Sequence, residues 1–169
     1  METVGVVGLG DMGSGLAKNL IKNGFLVKGA DLLPNRQSAF EILGGQLCSN
    51  PADVGRDAQA VFIMVMKGDE VKDVIFGPNG LLTTMAMGSA IILSATIKPN
   101  EAREIGQSMA GSGIHLIDTP VSGGFPGAQA GTLTLMAAGP DATLDVFSKY
   151  LEAVSANIHR VGTKPGDGQ

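Results

Sequence analysis

The stretch Val6-Val7-Gly8-Leu9-Gly10-Asp11-Met12-Gly13-Ser14-Gly15-Leu16-Ala17-Lys18-Asn19-Leu20 decides the fold. It leaves an apolar β-branched run, Val4–Gly8, and passes through a G-x-G-x-x-G sequence. It then enters a helical pattern with Met12, Leu16 and Leu20 at i, i+4 and i+8. Each glycine has a physical task in such a turn. Gly8 permits the sharp exit from the strand, Gly10 lets bare backbone approach a pyrophosphate, and Gly13 lets the helix pack close to the strand. The helix start offers N–H groups and a partial positive charge to phosphates. Leu9, Asp11 and Met12 travel in the same loop and join the candidate cofactor contacts. A mononucleotide P-loop is excluded: Gly10 and Gly15 have its glycine spacing, but Leu16-Ala17 stand where Lys and Ser/Thr are needed.

Asp31 extends this reading. It ends the second apolar run, where a carboxylate can accept from the adenosine ribose hydroxyls. The same carboxylate would repel a 2′-phosphate, so NAD is expected over NADP, while Arg36, five residues on, leaves NADP some access.

Outward from this unit, strand and helix patterns alternate to the end of the chain. Strands are predicted over Val4–Gly8, Phe25–Asp31, Gln46–Cys48, Ala60–Met66, Ser89–Ala95, Ile114–Asp118, Thr132–Ala138 and Ile158–Val161. Helices are predicted over Asp11–Asn23, Asn35–Leu43, from Ser49-Asn50-Pro51 onward, and over Gly68–Phe76, Asn100–Ala110 and Asp141–Ser155, the last with Leu144, Phe147, Leu151 and Val154 on one stripe. A glycine loop is expected between Asp118 and Thr132. The series predicts an α/β fold, a doubly wound and mostly parallel sheet of Rossmann type in a single domain. Residues 1–162 form the dinucleotide-binding domain in this reading. Residues 163–169, a polar glycine turn, form the start of a linker to a C-terminal helical domain.

Composition removes other classes. Of 169 residues 25 are glycine and only 17% are charged, with a net charge of −4, so a basic footprint for nucleic acid is absent. The single cysteine, Cys48, rules out an internal disulfide and suits a reducing, cytoplasmic setting. Two uncharged stretches, Val74 to Ile97 and Thr119 to Pro140, are long enough to span a bilayer by count. Both are interrupted by glycine and proline turns, so buried strands are expected instead of membrane spans.

Beyond the glycine loop, the chain resembles the β-hydroxyacid dehydrogenases, which include 3-hydroxyisobutyrate and L-threonate dehydrogenases. The resemblance is carried by four stretches: Val6 to Leu20; Phe62 to Leu81; Ser94-Ala95-Thr96-Ile97-Lys98-Pro99; and Asp118-Thr119-Pro120-Val121-Ser122-Gly123-Gly124 with Gly127-Ala128 and Gly131-Thr132-Leu133. It implies hydride transfer between NAD and a small 3-hydroxy acid. It places Met66 and Lys67 beside the cofactor ribose, where the family usually has Leu-Pro, and Thr96 near the nicotinamide. It places Ser122, Gly123 and Gly124 around the substrate carboxylate. The ending, Gly162 to Gly168, and the pair Ala30-Asp31 lean toward the threonate branch. The family's catalytic lysine falls beyond Gln169, and its helical domain, through which it forms homo-oligomers, has no counterpart here. On this reading the chain alone is inactive. An alternative is a non-catalytic assembly or sensing module of the same fold.

Some residues point to no chemistry. His115 and His159 lack partners at a triad spacing, the methionines suit core filling, and Lys164 suits a solvated loop. Asp69, Glu70, Lys72 and Asp73 read as a solvated helix face.

Overall fold

The computed structural model describes residues 1–169. β1 (Thr3–Val7) leads through the glycine loop into α1 (Asp11–Lys22), β2 (Leu26–Ala30), α2 (Pro34–Ile42) and β3 (Gln46–Leu47). The short α3 (Pro51–Gly55) follows, then β4 (Ala60–Ile63), α4 (Gly68–Phe76), β5 (Ala90–Leu93), α5 (Pro99–Met109) and β6 (His115–Asp118). The last third holds β7 (Val121–Ser122), α6 (Gly124–Ala130), β8 (Leu133–Ala138), α7 (Asp141–Val154) and β9 (Ser155–Gly162). These elements make an α/β fold of Rossmann type with a single central sheet.

The sheet runs in the order β3-β2-β1-β4-β5-β6-β8-β7, with β9 on β8. Every pair from β3 to β6 is parallel. β8 runs against β6 and β7, and β9 runs parallel to β8. The chain winds outward from β1 through β2 to β3, then returns to place β4 on the other side of β1. That reversal opens a crevice at the carboxyl ends of β1 and β4.

Burial on both faces explains the continuous apolar runs. In β4, Ala60 and Phe62 join one core cluster with Leu16, Leu20 and the α7 residues Leu144, Phe147 and Leu151. Val61 and Ile63 join the opposite cluster with Val71 and Ile75 of α4 and Ile105 of α5. Both uncharged stretches supply these layers, and no helix is long and apolar enough to cross a membrane.

Three local expectations are corrected. The segment read as a glycine loop contains β7 and the helix α6. The Ala60–Met66 run is a strand only to Ile63; Met64, Val65 and Met66 leave the sheet and line the crevice. Leu81–Thr83, given no element between the predicted helix Gly68–Phe76 and strand Ser89–Ala95, forms a 3-10 turn.

Candidate cofactor cleft

A cleft of about 1020 Å³ lies over the carboxyl ends of β1, β2, β4 and β5. Gly8, Gly10, Asp11, Met12 and Gly13 form its floor and one wall. Gly8 has φ +95°, and a Cβ there would sit 2.7 Å from Met64 O. At Gly13 a Cβ would lie 1.7 Å from Gly8 O, so only glycine lets α1 start so close to β1. Gly10 differs. Its φ is −70° and the nearest atom to a Cβ is the end of the Arg36 side chain at 3.4 Å. The protein itself does not demand glycine at that position; a group brought up against the backbone would. Ser14 N–H bonds Gly10 O at 2.8 Å. The N–H groups ahead of it lack intrahelical acceptors, as at any helix start. The residues therefore fit a pyrophosphate.

Leu9 does not reach the cleft with its side chain, which is buried in the core at 2% exposure. Its backbone N–H donates to Asp31 Oδ2 at 2.8 Å, and Leu33 N–H donates to Asp31 Oδ1 at 2.9 Å. Asp31 thus ties the glycine loop to the β2–α2 turn. The Arg36 guanidinium stands 3.6 Å from the same carboxylate, with its side chain 43% exposed. Both residues line the cleft with Leu32 and Leu33, so this end of it presents a carboxylate and a guanidinium together.

At the other end, Ser94, Ala95 and Thr96 line the wall beyond β5. Ser94 N–H and Ala95 N–H both donate to Ile63 O at 3.1 Å, which fixes this turn against β4. The Ser94 hydroxyl is buried without a hydrogen-bond partner, a donor the fold leaves unspent. Thr96 is exposed at the rim. Met66 lines the cleft and is 83% exposed, whereas Lys67, at the N-cap of α4, is solvent-facing outside the lining.

Val121 and Gly124 enter the same cleft from β7 and the start of α6, while Ser122 and Gly123 are exposed beside it. Gly123 (φ +132°) and Gly124 (φ +61°) make a turn that residues with a Cβ rarely adopt. The turn is held from α1. Asn19 Nδ2 donates to Ala128 O at 2.8 Å and Gln129 O at 3.2 Å, besides Gly15 O at 2.9 Å. A Cβ at Gly15 would be 2.6 Å from the Ala128 backbone, so α6 lies directly on α1. Nothing in sequence order, with more than one hundred residues between them, marked Asn19 and Ala128 as partners.

The acidic face of α4 is solvent-exposed as expected, and it also flanks the cleft. Asp69, Glu70 and Asp73 border the cleft, and only Lys72 turns away, to Glu104 at 2.9 Å. His115 lies elsewhere, with its ring 5.8 Å from that of Phe147. No group of three or more His, Cys, Asp and Glu is arranged to hold a metal ion.

The family model described as the NAD binding domain of 6-phosphogluconate dehydrogenase matches residues 3–162. The chain belongs to this family. L-threonate dehydrogenase of Cupriavidus necator is 36% identical over 167 residues, covering 99% of this chain and 56% of that protein. The mitochondrial 3-hydroxyisobutyrate dehydrogenase of Mus musculus is 34% identical over 166 residues, covering 98% of this chain and 49% of that protein. The crystal structure of 3-hydroxyisobutyrate dehydrogenase from Salmonella typhimurium superposes with a TM-score of 0.93 at 32% identity, covering 99% of this chain and 59% of that one. The chain spans about half the length of the curated relatives it matches. As an NAD-binding domain, it keeps the glycine loop at the switch point of the sheet, and the Ser-Gly-Gly turn reaches the same cleft.

Proposed function

We propose that residues 1–162 are the cofactor-binding half of an NAD-dependent hydroxyacid dehydrogenase, with residues 163–169 leading toward a further domain. One observation carries this reading: a single cleft is bounded at once by Gly10 and by Gly124. A dinucleotide on the glycine loop would have its far end beside the Ser-Gly-Gly turn.

The bound cofactor supplies the hydride acceptor or donor. The chain's own residues bind and orient. Gly8 to Gly13, with the start of α1, would hold the pyrophosphate; Asp31 and Arg36 would face the adenosine ribose; Met66 would pass the second ribose. Thr96 would meet the nicotinamide end, with Ser94 buried in the wall behind it. Ser122, Gly123 and Gly124 suit a carboxylate, since a glycine turn leaves N–H groups free to converge on an oxyanion and the serine adds a donor. The substrate is then a small 3-hydroxy acid of the threonate, 3-hydroxyisobutyrate or glycerate type, handled in the cytoplasm by an oligomeric enzyme.

Calorimetric titration tests the reading. NAD is expected to bind the 169-residue chain with modest affinity. No heat and no thermal shift at millimolar NAD would refute it.

A further inference from the structure

Asp118 ends β6 and is completely buried, at 0% exposure. All the partners of its carboxylate are neutral donors from one short segment. Oδ2 accepts from Gly166 N–H at 2.7 Å and Gly168 N–H at 3.2 Å, and Oδ1 accepts from the Gln169 carboxamide at 2.6 Å. Gln169 then reaches across to the turn after β5. Its Nε2 donates to Ala95 O at 3.2 Å, and its Oε1 accepts from Ile97 N–H at 3.0 Å. Those two peptide groups flank Thr96.

The segment is seated tightly. Gly166 has φ +97°, and a Cβ there would be 2.9 Å from Pro99 O; at Gly168 it would be 2.8 Å from Met136 O. Pro165 packs on Gly106 of α5. Burying a carboxylate with no cation beside it is costly, and the desolvation pushes the Asp118 carboxyl above the usual range despite its three donors. A neutral acceptor would close a turn at less cost. The Asp118 carboxyl gathers three donors at once on a single side chain.

We propose that Asp118 is a positioning residue for the nicotinamide end of the cleft: acting through Gln169, it fixes the Ala95–Ile97 turn and so the placement of Thr96. The proposal rests on the assignment of that end of the cleft made above.

The test uses the 169-residue chain, its Asp118→Asn and Gln169→Ala variants, and two ligands, NAD and ADP-ribose. ADP-ribose keeps the adenosine and pyrophosphate but lacks the nicotinamide. Asp118→Asn preserves size while turning an amide nitrogen toward donors. Both variants are expected to bind NAD about tenfold more weakly, the loss of one or two hydrogen bonds, and to bind ADP-ribose as the unaltered chain does. Hydrogen exchange at the Ile97 amide should quicken in both without ligand. Gln169→Ala leaves the buried carboxylate in place and guards against Asp118→Asn simply failing to fold. Equal loss of both ligands in Gln169→Ala would mean a merely structural role and overturn the proposal, as would unchanged NAD binding with a protected Ile97 amide. If the unaltered chain bound neither ligand, the cofactor reading would fall and take the proposal with it, a result distinct from a loss confined to the variants.

Discussion

Gly10 and Gly13 stand three residues apart and answer to different forces. Gly13 is fixed by the protein: a Cβ 1.7 Å from Gly8 O cannot be relieved by any side-chain rotation. Gly13→Ala should therefore lower the thermal midpoint by roughly 6–12 °C, from a cost of about 3 kcal/mol. Gly10→Val introduces a Cβ whose nearest neighbour is the flexible end of Arg36. Its midpoint should stay within about 3 °C of the parent's, while calorimetry detects no NAD binding. Asp31 needs similar care. Asp31→Ala would strip the acceptor from Leu9 N–H and Leu33 N–H as well as altering the charge at that end of the cleft, so it confuses loop order with specificity. Arg36→Ala is the cleaner probe. The parent chain should prefer NAD, and this variant should widen that preference by weakening NADP more than NAD, as paired titrations would show. For Asp118, burial raises the carboxyl's pKa, with Asp167 adding a smaller push in the same direction and Gln169, Gly166 and Gly168 opposing. Its carboxyl carbon should titrate above the 3.8 of an ordinary aspartate, as carbon-13 NMR would record. Between 3.8 and that raised value the native state holds more protons than the unfolded one. The stability contributed by this group is thus present below 3.8 and is lost as pH rises through the folded-state value.

At the level of elements, α6 shows what a single sequence reveals and what it hides. The glycine loop, α1 and β2 were legible because their signals are local: three glycines at fixed spacing and an apolar stripe of helical period. Ser122-Gly123-Gly124-Phe125-Pro126-Gly127 reads as a turn because glycine and proline are poor helix formers. Its last four residues nevertheless fold into the start of α6, where Asn19 and Gly15 of α1 clasp Ala128 and Gln129. The information lies more than one hundred residues away, beyond any local window. The same limit hid the role of Asp118, whose partners lie 48 to 51 residues on. β4 ended earlier than its apolar run because Met64 to Met66 stay apolar to line a cleft, not to pair. Asn19→Ala should cost about 2–3 kcal/mol in urea unfolding, because buried carbonyls lose their donor. Amide shifts at Ala128 and Gln129 should report α6 loosening from α1.

Across the whole molecule, the cleft has polar groups at both ends but no lysine or histidine in its lining. Its ionisable lining consists of Asp11, Asp31, Arg36, Asp69, Glu70 and Asp73. A placed general acid or base contributes typically ~10²–10⁴-fold. On the reading that the family's lysine is the acid or base, the chain supplied with NAD and L-threonate, 3-hydroxyisobutyrate or glycerate should form NADH far below the roughly 1 s⁻¹ of an ordinary enzyme. Turnover near that rate would place the base within these residues, with Lys67 and Lys98 the first to replace.

β9 leaves one side of an eight-residue strand without a neighbour. A long bare edge is a template on which a second molecule can add a strand, the first step toward ordered aggregation. Here its ladder with β8 breaks register between Leu133 and Thr134 and again between Ala137 and Ala138. Such irregularities twist a strand away from the flat geometry that stacking needs. Arg160, projecting from the strand, is pinned to Asp141 and Asp145 of α7. Charge and irregular register together make this border a poor seed, so concentrated solutions of the domain should stay free of fibrils for as long as β9 keeps its two breaks.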